Sequence, residues 1–178
     1  VEQCLYGLLL KSANEIGNAL AEHVSGSVSG FAALMNEKAV QLGCKGTHFT
    51  NPHGLNDSEH YTTPYDMALI GRAAFQNETL CKIDTTTIYR FPATKNAESK
   101  TISMGHKMLY STDSRYYEGI IGGKTGYTSL AGNTLVTGAE RNGVRLVAVV
   151  MKSRSTHYED TKALLDYGFA VMEKAGAQ

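Results

Sequence analysis

Two short polar motifs carry side chains suited to acid–base chemistry and anion binding. The first is Lys124-Thr125-Gly126, which lies in the β-prone run GIIGGKTGYT. A strand with this motif can present an ammonium and a hydroxyl to a carboxylate, while the missing side chain of Gly126 lets a ligand backbone come close. The alternative is a solvated lysine followed by a turn glycine, because a tripeptide recurs by chance in many proteins.

The second motif, Ser12-Ala13-Asn14, separates two stretches with helical periodicity. Side chains at such a junction can project into a cleft. The structural alternative is a capping box, in which Ser12 is the N-cap of the second helix and Glu15 follows in its first turn. The residues alone leave both interpretations open.

The first half of the chain is predicted to be helical. Apolar residues at helical spacing predict three helices before residue 44, the second ending near Gly26 and the third at Gly43. A loop-rich connection over 44–63 then leads to Thr63-Pro64-Tyr65-Asp66, which is typical of a helix start. This fourth helix is predicted to fade near Asn77.

The second half is predicted to hold the sheet. Short strands are expected within 84–103, and GIIGGKTGYT is expected to form a further strand. NTLVTGA and VRLVAVVM are predicted to pair as a hairpin that turns at Asn142-Gly143, before a last helix over 156–173. Helices, then antiparallel strands, then a closing helix indicate an α+β domain.

Composition excludes several classes of protein. The 178 residues suit a single domain, and 17 basic residues balance 17 acidic ones, so a nucleic-acid partner is not expected. No apolar stretch is long enough to cross a bilayer and the first residues lack the features of a signal peptide, so we expect neither a membrane span nor an export signal in this sequence.

Cysteines and histidines do not form metal-binding patterns. Cys4, Cys44 and Cys81 are widely spaced and are predicted to be free thiols, which leaves the redox compartment open. Three histidines fall in the loop-rich region, but no H-E-x-x-H motif is present, so surface or hydrogen-bonding roles are favoured: His48, His53 and His60. We expect no metal and no cofactor.

The sequence resembles the D-alanyl-D-alanine carboxypeptidases of serine peptidase family S11, which are low-molecular-mass penicillin-binding proteins. S-x-N and K-T-G are two of the three motifs of serine enzymes that recognise penicillin. The resemblance extends in order along nearly the whole chain, through LLLKSANEIGNALAEHVSGSVSGFAALMNEKAVQLG, THFTNPHGL, YTTPYDMALIGRAA, GGKTGYTSLAG, RLVAVVM and DTKALLDYG. It implies a β-lactamase/transpeptidase-like fold, with an antiparallel sheet flanked by helices.

The resemblance also implies roles for individual residues. Ser12 resembles the serine that shuttles a proton between the catalytic lysine and the leaving amine, and Asn14 the asparagine that holds the substrate amide and orients that lysine. Lys124 would supply positive potential and Thr125 a hydroxyl donor for the substrate carboxylate. The backbone N–H of Tyr127 matches a donor to the oxyanion hole.

Two departures from the family pattern stand out. Many relatives have an arginine near the start of the last helix that assists carboxylate binding, and His157 takes that place, which implies weaker or more pH-dependent recognition. No serine in the 178 residues is followed three positions later by a lysine, so the S-x-x-K nucleophile motif is absent. Residues 1–178 therefore resemble the C-terminal major part of one carboxypeptidase domain whose N-terminal part is missing.

The expected function is trimming of the terminal D-alanine from peptidoglycan stem peptides through an acyl-enzyme, outside the cytoplasmic membrane or in a secreted form. Stem peptides ending in D-Ala-D-Ala and β-lactam antibiotics are the expected partners. The 178-residue chain by itself is expected to be inactive and to self-associate or to pair with the missing segment. The alternative is a non-catalytic fragment that serves as a binding or regulatory module; a β-lactamase fits the quoted segments less well.

Overall fold

The computed structural model describes residues 1–176. Helices α1 to α3 come first, as the periodicity predicts: Glu2–Lys11, Asn14–Ser25 and Val28–Gln41. The junction between α1 and α2 is tight, because Ser12 ends α1 in a left-handed conformation with φ 56° and ψ 40°. The capping-box interpretation is wrong: Ala13 is the N-cap of α2 and no side chain caps that helix. Since Ser12 closes the preceding helix, its hydroxyl is not in the N-cap position.

Helix α4, Pro64–Ala74, begins where the sequence predicts. The Thr63 side chain accepts a hydrogen bond from the Asp66 N–H at 3.1 Å. The helix ends three residues before the predicted Asn77, which instead caps a separate helix α5, Glu78–Asp84, by accepting the Leu80 N–H. This seven-residue helix is absent from the sequence prediction, because it is too short for its periodicity to be recognised.

The strands form two antiparallel sheets. A small sheet pairs β1, Ile88–Phe91, with β2, Lys100–Ser103, and a short 3₁₀ helix follows at Lys107–Leu109. The larger sheet has the order β3-β4-β5, and helix α6 closes the described chain; their bounds are Ile120–Thr128, Gly132–Arg141, Val144–Ser153 and His157–Gly176.

The order of these elements confirms the predicted α+β fold. The β4–β5 turn is the predicted one: Asn142 and Gly143 both have positive φ, at 51° and 79°, as a two-residue type I′ hairpin requires. Strand β5 pairs only with β4 within residues 1–176.

No helix in this part of the chain is both long and apolar enough to cross a membrane. The three cysteines are unpaired.

Two apolar clusters hold the elements in place. One packs α6 against the larger sheet and is built on Leu135, Ala139, Ala148, Leu165 and Phe169. The other joins α1, α5 and the small sheet through Tyr6, Leu10, Ile83, Ile102 and Met104, with the ring of Tyr6 stacked on Tyr89 at 3.8 Å between centroids. Because α5 also packs on β3, the second cluster sets the position of α1 relative to the larger sheet.

Candidate active site

Strand β3 exposes one edge of its backbone. Its sheet partner is β4 on one side, whereas the N–H of Gly123 points the other way and donates to Asp84 Oδ2 at 2.5 Å. Outward and inward backbone groups alternate along an antiparallel strand, so the N–H groups of Thr125 and Tyr127 share this outer edge with Gly123. The Gly123 N–H is bound to Asp84, so the outward donors that remain along the lysine motif are the N–H groups of Thr125 and Tyr127.

A buried acid from α5 lies against the face of β3 that carries the lysine. Gly122 and Lys124 share this face, and a Cβ placed on Gly122 would lie 2.8 Å from Asp84 Oδ2. The ammonium of Lys124 donates to the Thr125 carbonyl at 2.7 Å. Burial lowers the pKa of Lys124, and the charge of Asp84 opposes that shift.

The opposite face of β3 packs against a buried histidine. His106 Nε2 and Thr137 Oγ1 form a hydrogen bond of 2.9 Å behind Gly123, where a Cβ would overlap the imidazole ring. Burial lowers the pKa of His106 to about 4, and the positive charge of Lys124 acts in the same direction. His106 is therefore neutral near pH 7, and it fills space behind the strand without adding charge.

The end of α1 lies next to the middle of β3. Gly105 separates them: a Cβ at Gly105 would be 3.8 Å from the Leu10 carbonyl oxygen and 3.8 Å from Thr125 Oγ1. Ser12 follows Leu10 by two residues and is exposed, and Asn14 is half-buried in the first turn of α2. The structure thus brings the S-x-N junction to the Thr125 side of β3. That Ser12, Asn14, Lys124 and Thr125 line a single cleft stays a prediction.

The connection between α3 and α4 forms a wall beside this region. Thr128 at the end of β3 donates to Asn56 Oδ1 at 3.1 Å. A Cβ on Gly17 of α2 would lie 3.8 Å from both the Pro52 carbonyl oxygen and His53 Cβ. The same connection touches α2 and β3, so it spans the space between the two motifs.

The described residues place His157 at the start of α6. Its ring lies 4.3 Å from that of Tyr158, but no hydrogen bond joins it to β3 in residues 1–176. Its Nδ1 is buried without a partner. Gly126 is half-buried opposite Thr134, and the side chain of Tyr127 is 71% exposed.

Sequence reasoning missed Asp84 and His106. Asp84 ends a helix that the sequence did not reveal, and His106 lies between β2 and the 3₁₀ helix. Their partners, Gly123 and Thr137, are 39 and 31 residues away along the chain, so no local pattern links them. Residues 1–176 contain no group of three or more His, Cys, Asp or Glu side chains that could hold a metal ion.

Comparison with solved structures defines the class of protein. The chain is similar to a D-alanyl-D-alanine carboxypeptidase from Mycobacterium tuberculosis, with a TM-score of 0.82 and 35% identity over 96% of this chain and 64% of that one. It is also similar to a Streptomyces DD-transpeptidase, with a TM-score of 0.85 and 31% identity over 96% of this chain and 68% of that one. The fold is therefore that of the penicillin-binding DD-peptidases, as the sequence resemblance implies.

Comparison with protein families identifies the chain more closely. Residues 1–155 match Peptidase_S11, the D-alanyl-D-alanine carboxypeptidase family, and the chain belongs to this family. Curated relatives include the carboxypeptidase DacF of Bacillus subtilis, 33% identical over 97% of this chain and 43% of its own length. DacB2 of Mycobacterium tuberculosis is 36% identical over 97% of this chain and 59% of its own length. The chain thus spans about half the length of these relatives.

Proposed function

We propose that residues 1–178 supply most of the acyl-transfer domain of a serine-type D-Ala-D-Ala carboxypeptidase. The nucleophile in this proposal is the serine of an S-x-x-K motif outside these residues, since the sequence given contains none. The observation that carries the proposal is the outer edge of β3, where Lys124 and Thr125 adjoin a row of outward backbone N–H groups.

Substrate binding is assigned to this edge. A stem peptide laid along β3 would bring its terminal carboxylate to the Lys124 ammonium and the Thr125 hydroxyl, and both groups would donate charge-assisted hydrogen bonds to it. The Tyr127 N–H would then face the attacked carbonyl and stabilise the negative charge that develops on its oxygen. Gly126 has no side chain to obstruct the peptide at this point.

Proton transfer is assigned to the α1–α2 junction. Attack by the serine oxygen forms an ester bond to the penultimate D-alanine and breaks the amide bond to the terminal one, whose nitrogen must gain a proton. In this scheme the lysine of the nucleophile motif takes the proton of the attacking serine, Ser12 relays a proton from that lysine to the leaving nitrogen, and Asn14 holds the substrate amide. Water then hydrolyses the ester and restores the enzyme. A β-lactam would react at the same serine by opening its ring.

His157 is assigned a secondary role in carboxylate recognition. It takes the place of an arginine found in many relatives, and a histidine is positively charged only in mildly acidic solution. Carboxylate binding should therefore depend on pH more than in those relatives. The substrate itself places the reaction outside the cytoplasmic membrane, at its outer face or in a secreted protein.

A second candidate function applies if the complete protein also contains no S-x-x-K serine. Without an S-x-x-K serine, the chain would bind stem peptides or β-lactams reversibly and act as a binding or regulatory module. The two candidates differ in one observable, because only the enzyme forms a covalent adduct with a labelled penicillin.

Lys124→Ala tests the enzyme proposal in the product of the complete reading frame. Loss of a charge-assisted contact in a half-buried site should weaken penicillin acylation and D-Ala release by about 2 kcal/mol or more, which is about 30-fold in rate. Lys124→Arg should not fully restore the rate, because a planar guanidinium cannot replace a compact ammonium.

The matched control is Lys38→Ala, which removes an exposed lysine from α3. It should leave both rates unchanged. Acylation at the parental rate in Lys124→Ala and Lys124→Arg would count against the site, whereas reversible binding with no adduct in the parent protein would favour the binding module.

A further inference from the structure

A buried acid adjoins the lysine of β3, and the roles assigned above do not include it. Asp84 is the last residue of α5 and is 3% exposed. Its Oδ2 accepts the Gly123 N–H at 2.5 Å, and its Oδ1 is buried with no hydrogen-bond partner among the described residues. A carboxylate in this position is costly unless a nearby positive charge compensates it.

The positive charge that acts on Asp84 is that of Lys124, although the two side chains form no direct ion pair in residues 1–176. The Asp84 carboxylate lies against the face of β3 that Gly122 and Lys124 share, and the charges of Asp84 and Lys124 act on each other. Two other titratable groups adjoin this pair: Cys81, one turn earlier on α5, acts with Asp84, and His106, which is neutral near pH 7, lies on the opposite face of β3 within the influence of Lys124. Burial raises the pKa of the Cys81 thiol, so this group is neutral near pH 7 and does not compete for the lysine.

We propose that Asp84 is a positioning residue for Lys124: its carboxylate fixes the β3 backbone through the Gly123 amide and keeps the neighbouring lysine in its ammonium form. The inference rests on the proposed function, in which a charged Lys124 binds the substrate carboxylate. Asp84 itself touches no reacting atom in this scheme and acts only through the strand and the lysine.

Two substitutions separate the two contributions. Asp84→Asn keeps an oxygen that can accept the Gly123 N–H but removes the negative charge, whereas Asp84→Ala removes both. Without the charge, burial alone acts on Lys124, so its titration midpoint should fall by about one pH unit in Asp84→Asn. Asp84→Ala should show at least the same fall together with lower stability, because the Gly123 N–H then loses its acceptor.

The direct readout is the titration of Lys124, followed by NMR on isotope-labelled lysine in the product of the complete reading frame. The Lys124 signal is identified by its loss in Lys124→Ala. Equal midpoints in the parent protein and Asp84→Asn would overturn the proposal. This measurement needs no substrate, so it tests Asp84 even where the protein proves not to be a carboxypeptidase.

The kinetic readout is the pH profile of acylation by a labelled penicillin. Asp84→Asn should move the alkaline limb of the profile to lower pH, with a rate about tenfold lower on that limb. A uniform loss at every pH with no movement of the limb would mean a purely structural role and would reject the charge effect. An inert parent protein would reject the proposed function and leave the NMR result to decide on Asp84.

Two further measurements complete the test. The matched control is Glu37→Gln, which removes an exposed negative charge from α3 and should leave the Lys124 midpoint unchanged. Where Asp84→Asn does not fold, the parent protein still answers the question, because burial raises the pKa of Asp84 to about 6. The Lys124 signal should then show a second inflection near that pH, and a flat signal there would overturn the proposal.

Discussion

Phe75 and two glycines form a slot that should dominate the stability of the sheet beside the site. The ring of Phe75 is 6% exposed and covers Gly122 and Gly138, which are directly paired on β3 and β4. A Cβ on Gly138 would lie 2.6, 2.8 and 3.0 Å from three ring carbons. Real Cβ atoms do not approach this closely, so Gly138→Ala must displace the ring or the strand.

The expected costs follow from this geometry. Phe75→Ala empties the slot and should lower the free energy of unfolding by about 3–5 kcal/mol, a large part of the about 5–15 kcal/mol of a typical domain. Gly138→Ala overfills the slot and should cost about 1–3 kcal/mol. In a Phe75→Leu background the added methyl has room, so the cost of Gly138→Ala should fall below about 1 kcal/mol, which makes the two sites coupled.

Urea unfolding followed by circular dichroism measures these differences, provided that the dependence on urea stays the same among variants. Gly17→Ala is the matched control. Its added Cβ would make only ordinary contacts, the nearest being Leu8 Cδ1 at 3.6 Å, and it lies inside α2. Replacing a helical glycine should raise stability by about 0.5–1 kcal/mol. If Gly138→Ala costs the same in both backgrounds, the slot does not limit the packing.

Two other predictions concern acid stability and association. Asp66 accepts hydrogen bonds from the Thr47 hydroxyl, which has the largest effect, and from the N–H groups of Gly46 and Lys45, and these bonds lower its pKa. The carboxylate should therefore stabilise the fold above its unfolded pKa of about 4. This stabilisation should be lost as the pH falls through the lower pKa of the folded state. Asp66→Asn should therefore flatten the acid limb of stability against pH; an unchanged limb would contradict this. Residues 1–178 purified alone should self-associate through the outer edge of β5, which has no strand partner in residues 1–176, and Val149→Lys should suppress this in analytical ultracentrifugation. A monomeric parent chain that forms a covalent penicillin adduct would refute that prediction and the expected inactivity of the chain.

The sequence by itself determined the features that depend on neighbouring residues. Thr63 caps α4 because its hydroxyl reaches an amide in the same turn, and Asn142-Gly143 turns the hairpin because both residues tolerate positive φ. The order of the predicted elements, with helices first, then antiparallel strands and a closing helix, was enough to predict the α+β class, and the motifs with their flanking segments were enough to predict the family. The cap and the turn depend on residues that are close together in the sequence, so they can be recognised without knowledge of the fold.

Only the tertiary structure decided which distant groups meet. Serine is a residue type favoured at helix N-caps, but Ser12 adopts a left-handed conformation that ends α1, because the chain must turn there to pack two helices. Nothing in the sequence around Asp84 distinguishes it from an exposed acid, yet it is buried and accepts a hydrogen bond from Gly123, which lies 39 residues further along the chain. Asp84 becomes buried, and comes close to the positive charge of Lys124, only when α5 packs on β3, so its environment depends on the tertiary structure.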